Sequence, residues 1–97
     1  MFVITLTYTV PVEEIDPHLA GHIEWLDRHY ASGVMLASGR RVPRTGGVLL
    51  ARAADRAALD AVLAEDPFAR AGVATYDVVE FAPTKAAPGL ETLLSQP

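Results

Sequence analysis

The chain opens on Phe2-Val3-Ile4-Thr5-Leu6-Thr7-Tyr8-Thr9, a run almost wholly β-branched, aromatic or aliphatic and stopped by Pro11. Such a run predicts a strand buried on both faces. Val12 to Ile15 reads as a short turn of helix. Asp16-Pro17 then supplies an N-cap and a proline at the first helical position, where the missing N–H costs nothing. Leu19, Ile23, Leu26 and Tyr30 recur at spacings of four, three and four, one face of a helix that Gly33 is placed to end. Val34 to Ser38 is a second strand, Gly39 to Gly47 a polar, basic connection, and Val48 to Ala51 a third strand. Asp55 can cap a second helix with Leu59, Val62 and Leu63 on its inner face. Asp66-Pro67 stops that helix, because proline disfavours the α conformation in the residue before it. One turn runs through Ala71 to Gly72, and Val73 to Phe81 is the fourth strand.

The order is βαββαβ. With right-handed crossovers this predicts an α+β, ferredoxin-like domain over residues 1–81, a four-stranded antiparallel sheet with two helices on one face. The other sheet face is left bare, and a fully apolar first strand would expose a large patch there. A homodimer of the dimeric α/β-barrel type, two sheets packed face to face, is therefore expected. Residues 82–97, with three prolines and a glycine, form a C-terminal tail that is a candidate strap on the dimer partner.

Composition narrows the function classes. The 97 residues are 51% hydrophobic and 21% charged, enough for one core without metal or disulfide staples. The absence of cysteine removes thiol catalysis and thiolate metal sites and points to a cytoplasmic setting, as does the lack of a basic leader at Met1-Phe2-Val3. A net charge of −4 argues against a nucleic-acid surface, and no apolar run reaches the ~18–20 residues of a membrane span.

The chemistry worth weighing lies on the first helix. At about 100° per residue, His18, His22, Trp25 and His29 fall within roughly 60° of one another, beside the apolar face. His22, between Leu19 and Leu26, is closest to that face and should be partly buried. There a neutral imidazole could serve as a base, or could simply be a core-edge histidine bonded to a backbone carbonyl. A metal reading is weaker. His18 and His22 have the i, i+4 spacing that two zinc ligands need, but His29 lies about 10 Å further along the axis and cannot reach the same ion. No metal and no cofactor is implied.

Asp66, fixed directly before a proline, has two readings: a cap for the N–H of Phe68 or Ala69, or the acceptor of a histidine Nδ1–H that leaves Nε2 free as a base. The segment from Ser38 to Gly47 holds three arginines, which make either a solvated loop or a clamp for an anionic substrate. Trp25 or Tyr8 is a candidate aromatic wall, and Arg40 a candidate partner for a developing oxyanion.

These marked positions together resemble the YCII-related (YciI-like) family. The resemblance rests on His22 followed eleven residues later by Gly33, on the strand Val34-Met35-Leu36-Ala37-Ser38-Gly39, and on Asp66-Pro67-Phe68-Ala69-Arg70-Ala71-Gly72-Val73. It implies a ferredoxin-like dimer and an active site built on a His–Asp pair, mapping here to His22 and Asp66, with proton-abstraction and elimination chemistry among its members. The chain departs from the family in carrying Leu19-Ala20-Gly21 where Arg-Pro-x often precedes the histidine, and Arg40 where proline often follows the small-Gly pair.

Two functions follow. One is a cofactor-independent lyase or isomerase acting on a small, aromatic or enolisable metabolite, with His22 and Asp66 as the catalytic pair and Ser38, Gly39, Arg40 and Trp25 binding substrate. The other is a non-catalytic small-molecule binding or accessory protein with the same cleft.

Overall fold

The computed structural model describes residues 1–94. Strand β1 (Phe2–Tyr8) is followed by the short helix α1 (Val12–Ile15), a 3-10 turn (Asp16–His18) and the long helix α2 (Leu19–Ala31). Strands β2 (Met35–Arg40) and β3 (Gly46–Ala51) form a hairpin. Helices α3 (Arg56–Ala64) and α4 (Pro67–Ala71) then lead into β4 (Ala74–Glu80). The four strands make one antiparallel sheet in the order β2-β3-β1-β4. This is the expected ferredoxin-like α+β arrangement, with α4 as a further helix after α3. Beyond β4 the chain runs without regular structure to a 3-10 turn at Glu91–Leu94. The last three residues of the expected tail lie outside the described residues. Among the described residues no helix is long and apolar enough to cross a membrane.

Alternation along β1 divides the sheet. Phe2, Ile4 and Leu6 are buried against the helices, while Val3, Thr5 and Thr7 lie on the other face and are only partly covered. Two threonines on that face correct the expectation of a strand apolar on both sides. On the helix side, Phe2, Ile4, Leu49 and Ala51 pack with Trp25 of α2 and Leu59 of α3. Each large side chain so buried contributes roughly 1.5–3 kcal/mol. A second cluster, Leu6, Ile15, Phe68 and Val73, seats α4 against the other end of β1.

Local signals explain most element ends. Asp55 caps α3 by accepting from the Ala58 N–H at 2.8 Å, and Gly72 ends α4 in the left-handed conformation with φ 69°. Asp16 departs from its expected capping role. It sits in helical backbone and turns its carboxylate to Arg44 Nη2 at 2.9 Å.

The core-facing side of α2 also differs from the apolar face predicted. His22 and Trp25 are its buried residues, whereas Ile23 and Tyr30 are exposed. Trp25, the bulkiest side chain of the helix, takes the core position. This turns the Leu19–Ile23–Leu26 face toward a hollow.

Candidate functional site

That hollow, a cavity of about 170 Å³, lies between α2 and the hairpin end of the sheet. Its origin is a lack of side-chain volume. The small helix-facing register positions there are Gly47 on β3, opposite Leu6 of β1, and Ser38 on β2. Leu19, Ile23 and Leu26 form its apolar wall, and Ser38, Gly39, Arg40 and His22 supply the polar lining. Tyr30, from the last turn of α2, hydrogen-bonds Ser38 with 2.6 Å between the hydroxyl oxygens.

His22 and Asp66 meet, although 44 positions separate them: Nδ1 stands 2.8 Å from Asp66 Oδ1. An ionised carboxylate only accepts, so Nδ1 carries the proton, and in the neutral imidazole Nε2 then keeps its lone pair. Among the described residues Nε2 has no hydrogen-bond partner, and His22 borders the cavity. The imidazole plane is fixed as well. Phe68 stacks on it with centroids 4.1 Å apart and planes 9° from parallel, and Trp25 lies 5.5 Å away on a tilted ring.

Asp66 itself is fully buried. A buried carboxylate is tolerated only with full hydrogen bonding, and Asp66 has three donors. Oδ1 accepts from His22 Nδ1–H and, at 3.1 Å, from the Phe68 N–H that opens α4. Oδ2 accepts from the Tyr76 hydroxyl at 2.5 Å. One side chain therefore both caps α4 and contacts the imidazole, through the same oxygen.

The contact depends on α4 lying close to α2. At Gly21 an added Cβ would stand 3.1 Å from Pro67 Cγ, so a side chain there would press on the proline that follows Asp66.

Ser38, Gly39 and Arg40 line the cavity. Trp25 does not. It is wholly buried in the main core, its indole N–H donating to the Val62 carbonyl at 3.0 Å, and it supports His22 from behind instead of forming a wall for a ligand. The nearest aromatic walls are Tyr8 and Phe68. His29 pairs with Glu65 Oε1 at 3.1 Å, outside the cavity. Among the described residues no three His, Asp or Glu side chains gather as a metal-binding group.

Sequence reasoning missed Tyr76. The usable signal was its place among the helix-facing positions of the fourth strand, Ala74, Tyr76 and Val78, where a phenol needs a polar partner if its ring is covered. Burial first, and then the hydrogen bond to Asp66, push its hydroxyl far above the ordinary 10.0. It remains a phenol and a donor.

An antiparallel α+β domain holding a buried histidine–carboxylate pair beside a small hollow is the class defined so far. The YCII-related domain matches residues 1–82, and the chain belongs to that family. Among solved structures it is similar to 5-chloro-2-hydroxyhydroquinone dehydrochlorinase from Burkholderia phenoliruptrix AC1100, in complex with 2,5-dihydroxybenzoquinone. The TM-score is 0.70 at 18% sequence identity, over 84% of this chain and 93% of that one, a likeness of fold. No curated protein matches the sequence.

Proposed function

We propose that this protein is a cofactor-independent lyase or isomerase in which His22 is the general base and Asp66 its positioning partner. The observation that carries the reading is the pairing of His22 Nδ1 with Asp66 at 2.8 Å, with Nε2 unpaired among the described residues on a side chain that borders the cavity. Nε2 takes a proton from an acidic C–H or O–H of a bound ring-sized molecule, a step worth about 10²–10⁴-fold when well positioned. The electron pair so released moves into an enolate or phenolate, whose oxygen is met by Arg40 and Ser38. In an elimination the pair expels a leaving group; in an isomerisation the imidazolium returns its proton to another carbon. The similar dehydrochlorinase, a lyase-type enzyme, supports the elimination form.

The test is turnover of a panel of small halogenated hydroxyquinols and enolisable ring compounds, with 2,5-dihydroxybenzoquinone as a binding probe. The wild-type protein should convert at least one compound, and His22→Ala should retain the fold and lose conversion. Binding with no conversion across the panel, unaffected by His22→Ala, would instead identify the non-catalytic binding protein.

We also propose that the active form is a homodimer joined through the sheet face opposite the helices. Val3 pairs laterally with Leu50 and Val79 there, Val79 is 62% exposed, and Val48 and Phe81 add further open apolar surface. Sedimentation at micromolar concentration should give twice the monomer mass; a monomer there contradicts the proposal.

A further inference from the structure

Resting on the reading of His22 and Asp66 as the working pair, we propose that Tyr76 is a third, positioning member of the site, setting the rotation of the Asp66 carboxylate so that Oδ1 faces the imidazole.

The geometry of the carboxylate carries this. Oδ1 has two donors, one from α2 and one from α4, and together they hold one side of the carboxylate. Oδ2 has one donor among the described residues, the Tyr76 hydroxyl at 2.5 Å. Without it, Oδ2 is a buried anionic oxygen with no partner, and rotation of the carboxylate toward any donor becomes favourable. Tyr76 is itself well anchored. It lies on β4 opposite Leu6 of β1 and packs against both apolar clusters, so its hydroxyl position is set by the sheet and not by a loop. The sheet thus holds one oxygen of Asp66 and helix α2 presents the histidine to the other. Because the phenol stays protonated well beyond neutral pH, the donor is constant across any working range. Tyr76 does not border the cavity and acts only through Asp66.

The decisive experiment follows the His22 Nδ1 proton by NMR in ¹⁵N-histidine-labelled protein. Wild type should show a slowly exchanging Nδ1–H and a single tautomer. Tyr76→Phe should shorten the exchange lifetime roughly tenfold, the equivalent of one ordinary hydrogen bond, and introduce the second tautomer. A folded Tyr76→Phe with wild-type lifetime and tautomer overturns the role of Tyr76 while leaving the His22–Asp66 pair intact. A wild-type protein lacking the protected proton overturns the pair itself. Should Tyr76→Phe not fold, wild-type sequence carrying 3-fluorotyrosine answers the same question. The stronger phenol donor holds Oδ2 more firmly and should lengthen the Nδ1–H exchange lifetime, and an unchanged lifetime refutes the proposal.

Discussion

A single oxygen, Oδ1 of Asp66, accepts both from His22 Nδ1 at 2.8 Å and from the backbone N–H of Phe68 at 3.1 Å. Helix capping and imidazole orientation are therefore one structural event, and α4 cannot start in register without also aiming Asp66 at His22. Phe68, the residue whose N–H is capped, lays its ring on the same imidazole.

This sharing ranks the variants of the pair by stability. Asp66→Ala removes the acceptor for three donors in a buried setting and should cost about 3–5 kcal/mol. His22→Ala leaves Asp66 bonded to Phe68 and Tyr76 and should cost about 1–3 kcal/mol. Urea titration of both variants gives the comparison; equal losses would mean that the donors of Asp66 are not all formed.

Tyr76 should dominate the alkaline limit of the fold. Its phenol is held above its ordinary value of 10.0 in the native state, so the unfolded chain releases a proton near pH 10 that the native protein retains. The resulting stabilisation is complete below pH 10 and falls by about 1.4 kcal/mol per pH unit above it. Denaturation series between pH 9 and 11 should therefore show a steeper decline for wild type than for Tyr76→Phe. Parallel curves would contradict a Tyr76 phenol held above its ordinary value by burial and the bond to Asp66.

Trp25 is a stability residue. Its indole fills the core and satisfies the Val62 carbonyl. Trp25→Phe should cost about 1–3 kcal/mol by thermal or urea melting and leave binding of a cavity ligand within twofold, an estimate in line with lost packing plus one hydrogen bond. A large loss of ligand affinity with unchanged stability would return Trp25 to the cavity wall.

Gly21 sets the distance between α2 and α4. Gly21→Leu must displace Pro67, the residue after Asp66, because even a Cβ would approach it to 3.1 Å. The variant should keep the helical content of α2, where leucine is favoured over glycine by roughly 1 kcal/mol, while weakening the His22–Asp66 contact. Loss of the protected His22 Nδ1 proton with unchanged helicity by circular dichroism is the expected pair of results. A preserved proton would show that α4 yields without consequence.

Much of the architecture was legible because the signals were local. The β-branched run of β1, the Asp55 cap and the Asp66-Pro67 break all act through neighbouring residues, and each element fell where those signals put it. The His22–Asp66 pairing was legible only in part. Helical spacing singled out His22 and the following proline singled out Asp66, but their meeting depends on how α2 and α4, distant in the chain, pack together. The buried side of α2 was misjudged for a related reason. Counting apolar positions gave Leu19, Ile23 and Leu26 the core, whereas the volume of Trp25 claims it and the hollow left by Gly47 and Ser38 takes the leucine face. Tyr76 escaped notice because nothing in a strand's alternation says which distant acid a buried phenol will meet.

The proposed chemistry requires that the proton of neutral His22 sit on Nδ1, with Nε2 open to the cavity. Long-range ¹H–¹⁵N correlation spectra of the wild-type protein near neutral pH read that assignment directly. His22 should show the Nδ1–H tautomer, collapsing to a mixture in Asp66→Asn. An Nε2–H tautomer in the wild-type protein, or one unaffected by Asp66→Asn, would contradict it.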